Sequence, residues 1–284
     1  MKKTGFLIFI AFYGIGCSDR LTVPMDTPPS APTGLYSITG DGKVTLYWNA
    51  NREPDLKLYA LYTSDEPNGT YELVGTTTHI QYTFNIPNGV TKYLAVVAID
   101  YAGNESELSR QTVWDTPRPE GRRLFVYAFM NDSLKTNFDR CGIDFSDYDD
   151  QMVQSLDNSS NDVYIDNYEN VIYLNAFTDD TDIAQFGKTE KLNDVDYIIP
   201  DSLEWAENGY VPLVEDYSYV IWTYDNHFAA IRVLEVYPNK VIFEWAYQTD
   251  PSNPQLKISA GNVSKEKERK LIIHIPKKQF TPIK

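Results

Sequence analysis

The residues with most chemistry to offer are carboxylates in two short runs. Asp144, Asp147, Asp149 and Asp150 lie within seven positions, and Asp179, Asp180 and Asp182 within four. Calcium takes about six to eight hard oxygens from flexible loops, and short acidic side chains spaced by one or two residues supply them. Asp157, Asp162 and Asp166 add to the stock. The spacing lacks the central Gly and terminal Glu of an EF-hand loop. Two readings stand: a calcium ion in these loops, or a solvated acidic face. The local charge favours the second, since residues 139–216 hold 20 Asp+Glu against only Arg140, Lys188 and Lys191.

The remaining reactive side chains are few. The histidines are His79, His227 and His274, and no HExxH, paired CxxC or Gly-rich phosphate loop accompanies them, so zinc and nucleotide chemistry lack a motif. A Ser-His-Asp site scattered along the chain stays open, but no catalytic residue is assigned and an enzyme is not expected. Cys141 sits among acids, which disfavour a thiolate, and reads as a small buried hydrophobe. Aromatic residues offer a second candidate. Tyr219, Trp222, Tyr224, Trp245 and Tyr247, with His227, fall on adjacent strands as a ligand patch for protein or glycan, or else as core.

The bulk charge narrows the partners. A net charge of −15 repels a phosphate backbone, so nucleic acid is excluded and a cation or a basic protein surface is favoured. The basic residues concentrate at 257–284, with eight Lys+Arg against Glu266 and Glu268. At the other end, Lys2 and Lys3 precede an apolar run from Gly5 to Ile15, too short to span a bilayer but the length of a signal-peptide core. Gly14-Ile15-Gly16-Cys17 resembles the lipobox of bacterial lipoproteins, although Gly14 stands where Leu is commonest and Ile15 where Ala or Ser is usual. The resemblance implies lipidation (palmitate among the acyl chains) at Cys17 after removal of the signal peptide, a membrane partner, and a place in the bacterial envelope, at the outer membrane. Signal cleavage without lipid is the alternative. With Cys17 lipidated, Cys141 has no disulfide partner.

These groups must be positioned by β-structure. The 14% aromatic content and short alternating segments suit pleated sheets. The expected organisation is a signal peptide and lipobox Cys at 1–17, a Pro-rich tether at 18–28, a sandwich at 29–116 and a second β-rich domain at 119–284. In the first, Val44–Trp48, Leu56–Tyr62, Tyr71–Val74, Gln81–Phe84 and Tyr93–Ile99 read as strands, with Val44, Leu46 and Trp48 on one face. Pro29, Pro32 and Leu35 in a first strand, Trp48, Asp55-Leu56, Tyr59-Ala60-Leu61-Tyr62, Val97-Ala98-Ile99-Asp100 and Gly103-Asn104-Glu105-Ser106 together resemble a bacterial fibronectin type III domain. Lys92 departs from that pattern at the tyrosine-corner position, with Tyr93 next to it. The resemblance implies an immunoglobulin-like sandwich serving as a spacer or a protein-binding module.

In the second unit, Pro117, Pro119 and Gly121 mark the boundary. Arg123–Phe129, Val163–Asp166 and Val171–Asn175 read as strands. Tyr217–Tyr224, a two-residue turn at Asp225-Asn226, His227–Val236, a turn at Pro238-Asn239 and Lys240–Gln248 form an antiparallel meander. Leu271–Ile275 is a final strand candidate. In the meander, Val241, Phe243, Trp245 and Tyr247 share a face. The stretch Tyr219–Val233, which includes Trp222-Thr223-Tyr224-Asp225-Asn226-His227-Phe228 and is continued by Val241–Gln248, resembles the HmuY-like lipoproteins, some of which bind haem through histidines; here His227 and His274 are those available. The expectation is therefore an all-β envelope lipoprotein acting as a non-enzymatic binding or adhesion module. A haem or other ligand-capturing lipoprotein, a structural envelope component and, last, a secreted hydrolase are the alternatives.

Overall fold

The computed structural model describes residues 27–111 and 113–256. Cys17, the signal segment, most of the tether, the 271–275 strand candidate, His274 and the basic 257–284 segment lie outside them. The described chain is almost all β, as expected: an immunoglobulin-like sandwich is followed by a second pair of antiparallel sheets.

In the first sandwich, β1 (Tyr36–Gly40), β2 (Lys43–Tyr47) and β5 (Gln81–Asn85) form one sheet. Strands β3 (Leu56–Ser64), β4 (Glu72–Thr77), β6 (Lys92–Asp100) and β7 (Val113–Asp115) form the other, ordered β4-β3-β6-β7. Val44, Leu46 and Trp48 point inward together, because alternate residues of a strand share a face. They pack with Tyr59, Leu61, Phe84, Leu94 and Val96 into one core. The first strand begins later than expected. Pro29 and Pro32 cannot donate to a ladder and Gly34 takes a positive φ of 69°, so pairing starts only at Tyr36.

The second unit contains β8 (Glu120–Tyr127), β9 (Gly142–Ile143), β10 (Val153–Gln154), β11 (Val163–Tyr168), β12 (Val171–Ala176), β13 (Asp182–Lys188), β14 (Tyr210–Pro212), β15 (Tyr217–Trp222), β16 (Phe228–Tyr237) and β17 (Lys240–Gln248). Its sheets run β10-β9-β11-β12-β14 and β13-β15-β16-β17-β8. The larger core lies between them, with Val241, Phe243, Trp245 and Tyr247 on it as their alternation predicts. The opposite face of the β13-to-β8 sheet is covered too. Val220, Phe228, Ala230 and Ala246 pack there under Leu192, Val195, Ile198 and Leu256. Burial on both faces explains why β15–β17 read as nearly continuous apolar runs.

Two turns bear on the site. Pro238-Asn239 is the expected two-residue connection, with Tyr237 paired to Lys240. The β15–β16 turn corrects the sequence expectation. Thr223 N–H donates to His227 O at 2.9 Å, so the loop holds Tyr224, Asp225 and Asn226. Asn226 takes the left-handed conformation, φ 70°, that closes a three-residue hairpin loop. The longer loop lifts Tyr224 out of the strand.

The two sandwiches meet through a buried linker. Thr116, Pro117, Arg118 and Pro119 are all buried. Thr39 Oγ1 donates to Asp115 Oδ1 at 2.9 Å, and Gln255 Nε2 reaches the same oxygen at 3.4 Å. The Thr116 hydroxyl lies 3.3 Å from Gln255 Oε1 and 3.4 Å from Asn253 Nδ2. Arg118 donates to Glu120 at 2.7 Å and to Asn193 at 3.0 Å. Gly89 N–H donates to Pro117 O at 2.8 Å. A Cβ on Gly89, whose φ is +77°, would stand 2.6 Å from Thr249 Oγ1.

Candidate ligand site at the loop end of the second sandwich

Strand β17 delivers Tyr247 to the edge of the larger core beside the linker, where its N–H donates to Pro119 O at 3.1 Å. The ring is 2% exposed. It stacks on Phe145 (centroids 6.2 Å, planes 15° apart) and meets Tyr148 at 6.3 Å and His227 at 5.4 Å. Phe145 and Tyr148 come from a single 3-10 turn, Phe145–Asp147, and the residue after it. Asp144 caps that turn, accepting from Ser146 N–H at 3.0 Å and from the Ser146 hydroxyl at 2.6 Å.

Three acids from three loops face this aromatic group. Asp162, just before β11, accepts from Phe145 N–H at 2.8 Å. Asp225, in the β15–β16 loop, accepts from Thr223 Oγ1 at 2.5 Å and stands 3.1 Å from His227 Nδ1. Burial pushes the Tyr247 phenol far up, and the charges of Asp225, Asp162 and Asp144 push it further. Tyr224 is raised for the same reasons, by burial first and then by Asp162, Asp225 and Asp144. Burial would raise Asp225 as well, but the neighbouring His227 ring and Thr223 hydroxyl outweigh it and hold the carboxyl below its usual range. Tyr148 is raised by burial and then by the charges of Asp149 and Asp41.

The two candidate sets of the sequence thus contribute unequally. From the acidic set, Asp144 and Asp162 join the cluster. Asp147 accepts from Gln154 Nε2 at 3.2 Å, and Asp149, Asp150, Asp179 and Asp180 are exposed, with Asp182 opening β13 opposite Trp222. Among the described residues, no three of His, Cys, Asp or Glu are grouped to hold a metal ion. From the aromatic set, Tyr224, His227 and Tyr247 converge. Tyr219 and Trp245 are core, the Tyr219 hydroxyl donating to Pro212 O at 2.8 Å with its own titration pushed up to about 12 by burial. Trp222 is on the other side of the sheet, packed on Phe228 at 5.2 Å and Trp205 at 6.1 Å. Such placement follows from alternation: Tyr219 and Trp222 are three apart on one strand, so they cannot share a face. Asp225 and Phe145 were not singled out, and their only local signals were a turn position and an aromatic inside an acidic run. Cys141 is fully buried, and burial raises its thiol to about 11.

No family model matches the chain. Over 90 residues it is 36% identical to an amylopullulanase of Thermoanaerobacterium saccharolyticum, a match covering 31% of this chain and 7% of that enzyme. An amylopullulanase of Thermoanaerobacter thermohydrosulfuricus is 37% identical over 87 residues, 30% of this chain and 6% of the enzyme. The chain therefore spans less than a tenth of the length of these curated relatives. Among solved structures, a Fn3-like protein from Clostridium thermocellum is similar over 31% of this chain and 92% of its own, with 26% identity and a TM-score of 0.27. A DUF4466 family protein from Parabacteroides merdae is similar over 78% of this chain and 99% of its own, with 13% identity and a TM-score of 0.43.

Proposed function

We propose that this protein is a bacterial envelope lipoprotein, anchored through Cys17 at the outer membrane, whose second sandwich is a non-enzymatic binding module held off the membrane by a fibronectin type III spacer. The observation that carries the binding role is the state of the polar groups at the loop end. Asp144, Asp162 and Asp225 are each fixed by hydrogen bonds from their own or an adjoining loop. The phenols of Tyr224 and Tyr247 are shifted away from neutrality, and the Cys141 thiol is buried and raised. A catalytic acid or base works best when it titrates near the operating pH. Fixed acceptors and protonated phenols instead suit recognition of a ligand that arrives with complementary charge.

Growth of a bacterial host on a labelled fatty acid tests the anchor. The full chain is expected to carry label and to fractionate with the envelope, and Cys17→Ser to lose both. A Cys17→Ser chain that keeps the label and the envelope location would overturn this reading.

A further inference from the structure

We propose that Thr116 and Gln255 become joined by an ester bond, formed within the folded chain between the Thr116 hydroxyl and the Gln255 side-chain carbonyl with release of ammonia. This inference goes beyond the binding-module reading and does not depend on it.

The placement of the Gln255 amide carries the argument. Thr116 and Gln255 are 139 positions apart, one in the linker before β8 and the other beyond β17. Neither is more than 1% exposed. The two ends of the amide face different groups. Its Oε1 lies 3.3 Å from Thr116 Oγ1, and its Nε2 lies 3.4 Å from Asp115 Oδ1. The acyl carbon therefore stands between a hydroxyl and a carboxylate, one bond from the oxygen that the hydroxyl already meets. The main chain of Gln255 is held on both sides: its N–H donates to Asn253 Oδ1 at 3.1 Å, and its carbonyl accepts from Gln248 Nε2 at 2.7 Å. Thr116 is held too, with Oγ1 2.8 Å from Thr91 Oγ1 and 3.4 Å from Asn253 Nδ2. Groups fixed side by side in this way react with an effective concentration far above any reached in solution.

A second observation marks Asp115 as the base. It is fully buried, and its Oδ2 finds no hydrogen-bond partner among the described residues. A buried carboxylate oxygen left without a donor contributes nothing to a purely structural network, but its free lone pair suits proton transfer. Burial raises this carboxyl to about 6, so it takes and returns a proton near neutrality. The step balances. Thr116 Oγ1 adds to Cδ of Gln255, and the hydroxyl proton passes to Asp115. The Cδ–Nε2 bond then breaks, and Asp115 hands the proton to the departing nitrogen beside it. One C–O bond replaces one C–N bond, ammonia leaves, nothing is oxidised or reduced, and no co-reactant is consumed. The ammonia is protonated and diluted in solvent, while the closed surroundings keep water from the ester. The bond closes a ring around the second sandwich, from the linker that enters it to the segment that leaves it. A pull along the chain from residue 115 to residue 256 then bypasses its strands.

Tandem mass spectrometry of tryptic peptides from the denatured full chain tests the bond. The expected product is one species containing both Thr116 and Gln255, lighter than the two separate peptides together by one ammonia. Alkaline hydroxylamine, which cleaves esters and leaves amides, is expected to part it. Thr116→Val removes the reacting oxygen at nearly constant volume and should yield only separate peptides at their sequence masses, and Asp115→Asn should lose most of the joined species. Separate peptides alone from the unaltered chain overturn the inference, an outcome that requires no variant to fold. A joined species that survives hydroxylamine, or that Thr116→Val retains, overturns it as well. A joined species undiminished in Asp115→Asn overturns the assignment of Asp115 as the base.

Discussion

At the junction of the two sandwiches, Asp115 lies among Thr39, Thr116 and Gln255, and Arg118 divides its guanidinium between Glu120 and Asn193. At the loop end of the second sandwich, Asp144, Asp162 and Asp225 surround Tyr247. Both regions bury polar groups beside the same linker, and they treat them differently. In the junction a cation and neutral donors from both domains surround the acid, while Asp115 Oδ2 and Arg118 Nε stay buried without a hydrogen-bond partner among the described residues. At the loop end Ser146, Phe145 and Thr223 donate to Asp144, Asp162 and Asp225 from the loops themselves, and the charges of these acids act on the Tyr247 phenol. Polarity shared across the junction fixes an arrangement of the domains, whereas polarity kept within the loops fixes the loops.

The strongest way to break this contrast is Arg118→Ala. Removing one member of a buried charged network leaves the others uncompensated, at a cost of about 3–5 kcal/mol. Urea unfolding is expected to show a loss of that size, and a loss below about 1 kcal/mol would mean that the junction does not hold the domains.

Asp115→Asn sharpens the same side. Burial raises the Asp115 carboxyl to about 6, against the pull of the Ser37 and Thr39 hydroxyls, the Thr116 backbone and Arg118. The unfolded value is about 3.9. A raised carboxyl favours its protonated form in the fold, so its contribution is fully present below about pH 4. That contribution declines as pH rises and is gone above about pH 6, a difference of about 3 kcal/mol. Asn stays neutral throughout. The stability of the Asn variant relative to the unaltered chain should therefore rise between pH 4 and pH 7, and an offset that does not change with pH would contradict the assignment.

The smallest expected effect lies at the loop end. Tyr247→Phe removes a hydroxyl that makes no hydrogen bond among the described residues, so the melting curve should correspond to a change within about 0.5 kcal/mol. A loss above about 1 kcal/mol would show that the hydroxyl has an internal partner and would erase the difference between the two regions.

How much of this was legible in the sequence depends on whether the signal was local. The strands Val44–Trp48 and Lys240–Gln248 were read with their correct inward faces, because alternation and β-branched or aromatic content agree there. Strand β13 was not read. Its residues Asp182–Lys188 begin with an acid, and the pairing slips between Gln185 and Gly187, where Gly187 takes φ 117°; a bulge breaks period two. Strand β14 ends in Pro212 and pairs on one side only, so it too lacks the pattern of a central strand. For the site, residue types were visible and convergence was not. Asp144, Asp162 and Asp225 come from three loops brought together by the pairing of β9 with β11 in one sheet, of β15 to β17 in the other, and by the packing of the two sheets, and nothing in their spacing reports it. The turn residues Asp225-Asn226 were seen, yet one added residue in the loop decides that Tyr224 faces the rim.

The buried course of residues 116–119 bears on how this protein could have been assembled. Fibronectin-type sandwiches are commonly treated as interchangeable beads, cut and rejoined at exposed linkers. Here a cut would uncover Pro117 and Arg118 on one side and Asn253 and Gln255 on the other, and a substitute bead would have to present an oxygen where Asp115 does and a glycine where Gly89 fits against Thr249. The two sandwiches are matched halves, and recombination would be expected to inherit them together.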